Sequence, residues 1–248
     1  MLTSPGQQGP PGETAMRRDS WIRKMARALR DAVRSFAWSA EERQQRRRHR
    51  LVGPPGLWEL KRNFQIDFLK RVGLQPCHVF VDLGCGTLRG GIPMIRYLDP
   101  GKYYGIELRP EVLAEAQREL REEGLEQKQP TLICSNDMAT LELSVRFDCA
   151  WAYSVLFHMS EPAIEDCFRF LERYLQPGAC LYANVNIGSR KSGHWKEFPV
   201  IWRSMDAYRE LAARHAMSVE DIGSTGDLGH VSGKASHDEQ RMLRFLRK

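Results

Sequence analysis

Val79-Phe80-Val81-Asp82-Leu83-Gly84-Cys85-Gly86-Thr87-Leu88-Arg89-Gly90-Gly91-Ile92 is the stretch from which the rest of this 248-residue chain is read. Val79–Asp82 is a short apolar run with an acidic end, the pattern of a strand buried in a parallel sheet. Gly84, Gly86, Gly90 and Gly91 permit a tight turn, and a helix is predicted over Ile92–Leu98. Glycines at such a turn let the backbone approach a ligand, and the helix start offers unpaired N–H groups.

Three stretches farther along give the turn its meaning. Lys102–Leu108, K-Y-Y-G-I-E-L, reads as a second strand ending on Glu107. A carboxylate roughly 20 positions after such a turn is placed to accept hydrogen bonds from ribose hydroxyls. Thr131–Met138, T-L-I-C-S-N-D-M, reads as a third strand with Asp137 at its end, suited to the edge of a base. Phe147–Tyr153, F-D-C-A-W-A-Y, is a fourth apolar strand followed by a polar turn and a helix. Glycine turn, ribose carboxylate, base-edge carboxylate and fourth strand follow the order of a nucleoside-binding sheet.

Asp82-Leu83-Gly84-Cys85-Gly86-Thr87, with Glu107, Asp137 and Leu175-Gln176-Pro177-Gly178, resembles the class I S-adenosylmethionine-dependent methyltransferases from about Leu74 to Lys248. The resemblance implies a doubly wound α/β fold of Rossmann-like type, with seven strands in the order 3-2-1-4-5-7-6. It also implies S-adenosylmethionine as cofactor, held by Asp82, Gly84, Cys85, Gly86, Arg89, Glu107, Leu108, Asp137, Met138 and Tyr153. Two positions depart from the family pattern: its third glycine is Leu88, and its second glycine after Pro177 is Ala179. The first departure implies a loop shaped differently at the methionine end of the cofactor, with Arg89 or Gly90-Gly91 compensating. The alternative cofactor, a nicotinamide dinucleotide, needs glycine or alanine where Arg89 stands.

Strands are expected near 79–83, 102–107, 131–135, 147–153, 179–186, 217–222 and 240–247, the last two as an antiparallel pair. Helices are expected near 91–98, 110–123, 161–175 and 203–215, with Pro110 and Pro162 in first turns. A leading helix over Leu57–Val72 carries Leu57, Leu60, Phe64, Phe68 and Leu69 on one face, and Gly73 is expected to cap it. Helices before the first strand close over the ligand in the family. Trp58, Arg62 and Gln65 are therefore candidate cleft residues, with surface positions as the alternative.

Gly53-Pro54-Pro55-Gly56 marks a boundary. The expected organisation is a disordered tail (1–15), a basic helical arm (16–52) and a methyltransferase domain (53–248). Residues 1–50 hold 12 Lys/Arg and 5 Asp/Glu, net +7, while the remainder holds 25 and 26, net −1. The near-neutral domain argues against a nucleic-acid groove across it. Met16 is a candidate start of translation. Trp21, Ile22, Met25, Leu29, Val33 and Phe36 form a helical stripe among arginines over 20–38. That stripe is read as packing on the domain or forming a lid, with peripheral membrane contact or an acidic partner as the alternative. Arg46–Arg50, R-R-R-H-R, is read as a solvated charge run.

No apolar stretch is long enough to cross a membrane and no secretory segment is recognisable, so a cytoplasmic location is expected. Cys77, Cys85, Cys134, Cys149, Cys167 and Cys180 lack C-x-x-C spacing and are expected as reduced thiols. The seven histidines show no metal-binding spacing.

His158, in the loop after the fourth strand, is the candidate general base, with a pocket-shaping role as the alternative. Tyr153 and Ser154 are candidate cofactor contacts. Gly188–Phe198, containing Lys191, His194, Trp195 and Lys196, is expected as a mobile recognition loop, and His230 and His237 are within possible reach of the cleft. The leading function is methyl transfer to oxygen or nitrogen of a small metabolite or sugar-like acceptor. The alternatives are RNA or protein methylation through residues 17–50, or cofactor binding without catalysis.

Overall fold

The computed structural model describes Met25, residues 39–53 and residues 55–248. The expected tail over 1–15, and the 20–38 helix apart from Met25, lie outside the described residues. Residues 48–248 form one compact unit. The first described helix, α1 (Ala40–Leu51), starts with a reciprocal cap. Ser39 Oγ accepts the Glu42 N–H at 3.1 Å, and Glu42 Oε2 accepts the Ser39 N–H at 2.8 Å. These two bonds satisfy donors that a helix start leaves free.

The leading helix α2 (Trp58–Arg71) ends at Gly73, where φ is +100°. Leu74 N–H bonds back to Leu69 C=O and Gly73 N–H to Lys70 C=O, the left-handed cap that glycine allows. Strands and helices then alternate: β1 (Phe80–Leu83), α3 (Gly91–Tyr97), β2 (Tyr103–Glu107), α4 (Pro110–Glu122), β3 (Thr131–Cys134), β4 (Phe147–Ala152), α5 (Glu161–Tyr174) and β5 (Leu175–Val185). A hairpin, β6 (Gly193–Trp195) and β7 (Phe198–Val200), precedes α6 (Met205–Arg214), β8 (Met217–Ser224), α7 (Ala235–Asp238) and β9 (Arg241–Arg247).

The main sheet has the order β3-β2-β1-β4-β5-β9-β8. Pairings from β3 through β5 are parallel, and β9 runs antiparallel to both β5 and β8. This is the expected seven-stranded order. β5 begins four residues before the expected 179: Leu175 pairs with Phe147, and the next pair is Cys149 with Cys180. Gln176–Ala179 is the irregularity between those pairs, and Gly178 takes φ +81° within it.

Each face of the sheet has its own core. Ala150 and Ala152 of β4 join Phe168, Leu171, Tyr208 and Leu211 of α5 and α6 on one face. Cys149, Trp151 and Tyr153 join the other, with Ile92 and Ile95 of α3 and Phe64, Phe68 and Leu69 of α2. The alternation follows from the two-residue period of a strand. Phe68 packs against both Trp151 and Tyr182, at centroid distances of 5.5 Å. α2 is thus a structural layer of the sheet as well as a wall of the site. The parallel strands diverge in connection between β1 and β4, and such sheets bind ligands beyond the carboxyl ends at that point.

Candidate functional site

The turn after β1 is fixed from the neighbouring strand: Gly84 N–H and Cys85 N–H both donate to Ile106 C=O, at 2.8 and 3.1 Å. Gly84 and Gly86 take φ of +67° and +58°, and Leu88 takes +63°. The backbone at Leu88 keeps the left-handed geometry that glycine serves best. Its side chain is fully buried. A Cβ on Gly91 would lie 2.5 Å from both Leu88 Cδ2 and Tyr103 Oη, so Gly91 makes room for the leucine. A Cβ on Gly90 would lie 2.4 Å from Gln65 Oε1. That amide oxygen accepts the Trp151 indole N–H at 2.9 Å, which ties α2 to β4 beside the turn.

A cavity of about 160 Å³ opens over this turn. Asp82, Gly84, Cys85, Gly86, Arg89, Glu107, Leu108, Met138, Tyr153 and His158 all line it, with Gln65, Val52 and Ser135. Asp137 does not: its Oδ1 accepts the Ala139 N–H at 2.9 Å, and its neighbours Ser135 and Met138 face the cavity.

Two buried carboxylates stand at the strand ends. Glu107 Oε2 accepts the Gly86 N–H at 3.1 Å, and its Oε1 accepts Arg109 Nε–H at 3.0 Å. Asp82 Oδ2 accepts the Tyr103 hydroxyl at 2.8 Å. Burial pushes Asp82 up to about 7, against the opposing effects of that hydrogen bond and Arg89. Arg89 is itself buried; one Nη donates to Val52 C=O at 3.0 Å, while Nε makes no hydrogen bond among the described residues.

His158 lies on a short 3-10 turn, Leu156–His158, after β4. Its Nδ1 is 2.7 Å from Pro199 C=O; a carbonyl only accepts, so Nδ1 carries the proton and Nε2 is left as an acceptor. Burial lowers the His158 pKa, with Arg109 and Lys61 acting in the same sense and the Pro199 bond opposing. Arg203 holds the turn from beneath, donating to Leu156 C=O at 3.2 Å and Met159 C=O at 2.6 Å and pairing with Glu161.

A second cavity, about 580 Å³, adjoins the first. Val52, Ser154, His158 and Trp195 line both. Lys61, Asn186, Arg190, Trp202, His237 and Gln240 contribute to the remaining wall. A chain of amides underlies it: Asn184 Nδ2 donates to Gln240 Oε1 at 2.7 Å, and Gln240 Nε2 to Asn186 Oδ1 at 3.1 Å. Asn184 Oδ1 also accepts the N–H of Ser154, a non-glycine residue at φ +61°.

Among the other candidates, Trp58 stacks on His49 at 3.8 Å and Arg62 pairs with Glu123 at 3.6 Å, so neither lines these cavities. The Gly188–Phe198 stretch contains the β6–β7 hairpin, unforeseen in sequence, which delivers Trp195 to both cavities. Lys196 instead donates to the carbonyls of Arg50 and Leu51, and Lys191 and His194 are exposed. His230 is fully buried, with Nδ1 3.1 Å from Asp238. Arg48 corrects the reading of 46–50 as a uniformly solvated run. It is buried against Glu115, at 2.9 Å, and Glu119, at 3.5 Å, because α4 presents carboxylates at that point. Lys61, Trp202, Arg203 and Gln240 were missed; only Lys61 carried a signal, standing one helical turn before Gln65.

Residues 80–178 match a family profile described as a methyltransferase domain. With the strand order above, the chain has the fold of the class I S-adenosylmethionine-dependent methyltransferases. The chain is similar in fold to magnesium protoporphyrin IX methyltransferase of Synechocystis PCC 6803 with bound SAH (18% identity, TM-score 0.60, covering 88% of this chain and 100% of that one). It is also similar to the glycopeptide N-methyltransferase MtfA (16% identity, TM-score 0.57, 74% and 94%). A third likeness is to the [4+2]-cyclase SpnF (19% identity, TM-score 0.53, 75% and 80%). No curated protein matches the chain in sequence. Among its described residues, no helix is long and apolar enough to cross a membrane and no His/Cys/Asp/Glu cluster is arranged to hold a metal ion.

Proposed function

We propose that the protein binds S-adenosylmethionine in the first cavity and methylates oxygen or nitrogen of a small-molecule acceptor seated in the second. One observation carries this reading: the two cavities share a wall that includes His158. The first cavity fits the cofactor on its own residues. Glu107 offers a buried carboxylate for ribose hydroxyls, Met138 and Leu108 offer apolar flanks for the base, and Arg89 has a buried Nε free for a carboxylate. The cofactor, when bound, supplies an electrophilic methyl group. The chain must align the acceptor for in-line attack, and such positioning accounts for much of a displacement's rate. With Nδ1–H held by Pro199, His158 Nε2 is the proton acceptor for a hydroxyl nucleophile, and burial keeps the ring neutral near pH 7.

The resemblance to a [4+2]-cyclase supports keeping fold and reaction separate, so the test must read transfer itself. Calorimetry with S-adenosylhomocysteine and NAD comes first: the former is expected to bind and the latter not. Labelled methyl is then followed into small-molecule, RNA and protein fractions. Label in RNA or protein that disappears when residues 1–38 are deleted would instead favour docking through the basic arm. Binding without transfer to any fraction would favour a non-catalytic role.

A further inference from the structure

Lys61 stands apart from every other cation near the site. It is only 5% exposed and lines the second cavity, yet its side-chain amine makes no hydrogen bond or ion pair among the described residues. Its Nζ lies over the Tyr153 ring, 5.8 Å from the centroid. Buried amines are ordinarily paired, because an uncompensated charge out of water is strongly unfavourable. The groups around Lys61 do not supply the counter-ion. Arg89 and Lys234 repel it, and His158, His230 and His237 are themselves disfavoured as cations by its charge. The nearby carboxylates are committed elsewhere, Asp238 to Ser232 and His230 and Glu107 to Gly86 and Arg109, while Glu239 is exposed.

We propose that Lys61 receives an oxyanion group, carboxylate or phosphate, of the acceptor, and so restricts the second cavity to small anionic molecules. This rests on the reading of that cavity as the acceptor site. The rest of the wall suits the same ligand: Trp195 and Trp202 offer flat apolar surface for its body. Arg190, set 4.8 Å from the Trp202 ring centroid, adds a second cation among the exposed residues. Burial and the neighbouring cations lower Lys61 to about 7, and an anion placed against it reverses the second effect. Anion binding and protonation of Lys61 therefore reinforce each other.

The test uses the full chain saturated with S-adenosylhomocysteine and titrated with benzoate, phenyl phosphate and uncharged benzyl alcohol, followed by calorimetry. At least one anion is expected to bind about tenfold or more tighter than the alcohol, as a charge-assisted hydrogen bond provides; the stronger of the two identifies carboxylate or phosphate. Lys61→Met keeps the aliphatic stem, so S-adenosylhomocysteine affinity is expected within about twofold while anion affinity falls about tenfold or more. Lys61→Arg retains most of the anion binding. Wild-type anion affinity is expected to decline by up to about tenfold per pH unit above 7 and to be flat for Lys61→Met, which a purely structural lysine would not produce. Equal binding of alcohol and anions, no anion binding, or anion binding indifferent to Lys61→Met overturns the proposal and leaves the cofactor assignment standing. Failure to bind S-adenosylhomocysteine overturns both.

Discussion

The two cavities meet at His158 and are built in different ways. The walls of the first come mainly from consecutive strand ends: the turn after β1, Glu107–Arg109 at the end of β2, Ser135 and Met138 after β3, and Tyr153–Val155 after β4. The second gathers Lys61 from α2, Asn186–Arg190 after β5, Trp195 from the hairpin, Trp202, and 235–237 with Glu239 and Gln240 before β9. A parallel sheet places its strand ends in register, so one topology rule positions the first set. The second set is brought together by packing between segments far apart in sequence. Local substitutions in the first cavity are therefore expected to act on cofactor affinity, and substitutions at the shared wall or in the second on acceptor chemistry.

The largest expected effect is at the shared wall. With a hydroxyl acceptor, His158→Ala is expected to lower turnover by roughly 10²–10⁴ while leaving cofactor affinity nearly intact. The base must be neutral, so the wild-type rate rises with pH through the His158 ionisation. Burial lowers that ionisation from its ordinary value of 6.5, and the rate is expected to level off by neutral pH. Steady-state kinetics across pH, with calorimetry on the variant, check this; near-normal turnover would assign His158 a shaping role.

Glu107→Ala tests the first cavity alone. It removes the proposed ribose acceptor and releases the Gly86 N–H, with an expected loss of about tenfold or more in S-adenosylhomocysteine affinity. Unchanged calorimetric affinity would remove Glu107 from the site.

Gly91→Ala tests the accommodation of Leu88. The added methyl meets Leu88 and the Tyr103 hydroxyl that holds Asp82, so an unfolding free energy lower by about 1–3 kcal/mol is expected in denaturant titration. A neutral result would mean that the leucine has slack the packing does not show.

The smallest effect is expected at Asp137. Asp137→Ala loses the bond to the Ala139 N–H, about 0.5–1.5 kcal/mol, and cofactor affinity is expected to fall only a few-fold through the turn carrying Met138. A loss as large as that of Glu107→Ala would show that the carboxylate turns toward the cofactor on binding.

The sequence carried the alternation of strands and helices in its apolar periods, and the resemblance borne by Asp82–Thr87, Glu107 and Asp137 implied the strand order. The strand ends at Gly84, Gly86 and Glu107 were also legible in the sequence, and the structure brings these three residues to one cavity. The sequence did not carry the meaning of Leu88. Whether a leucine is tolerated at φ +63° depends on the space that Gly91 leaves beside Tyr103.

Tertiary structure alone decided the rest. Arg48 reads as one more arginine in a basic run until α4 brings Glu115 and Glu119 against it. Lys61 reads as a surface position until α2 lies down on Trp151 and Tyr182 and turns it into the second cavity. Periodicity records which residues share a face of one element. Burial of a charge, and whether a partner reaches it, depends on which faces meet.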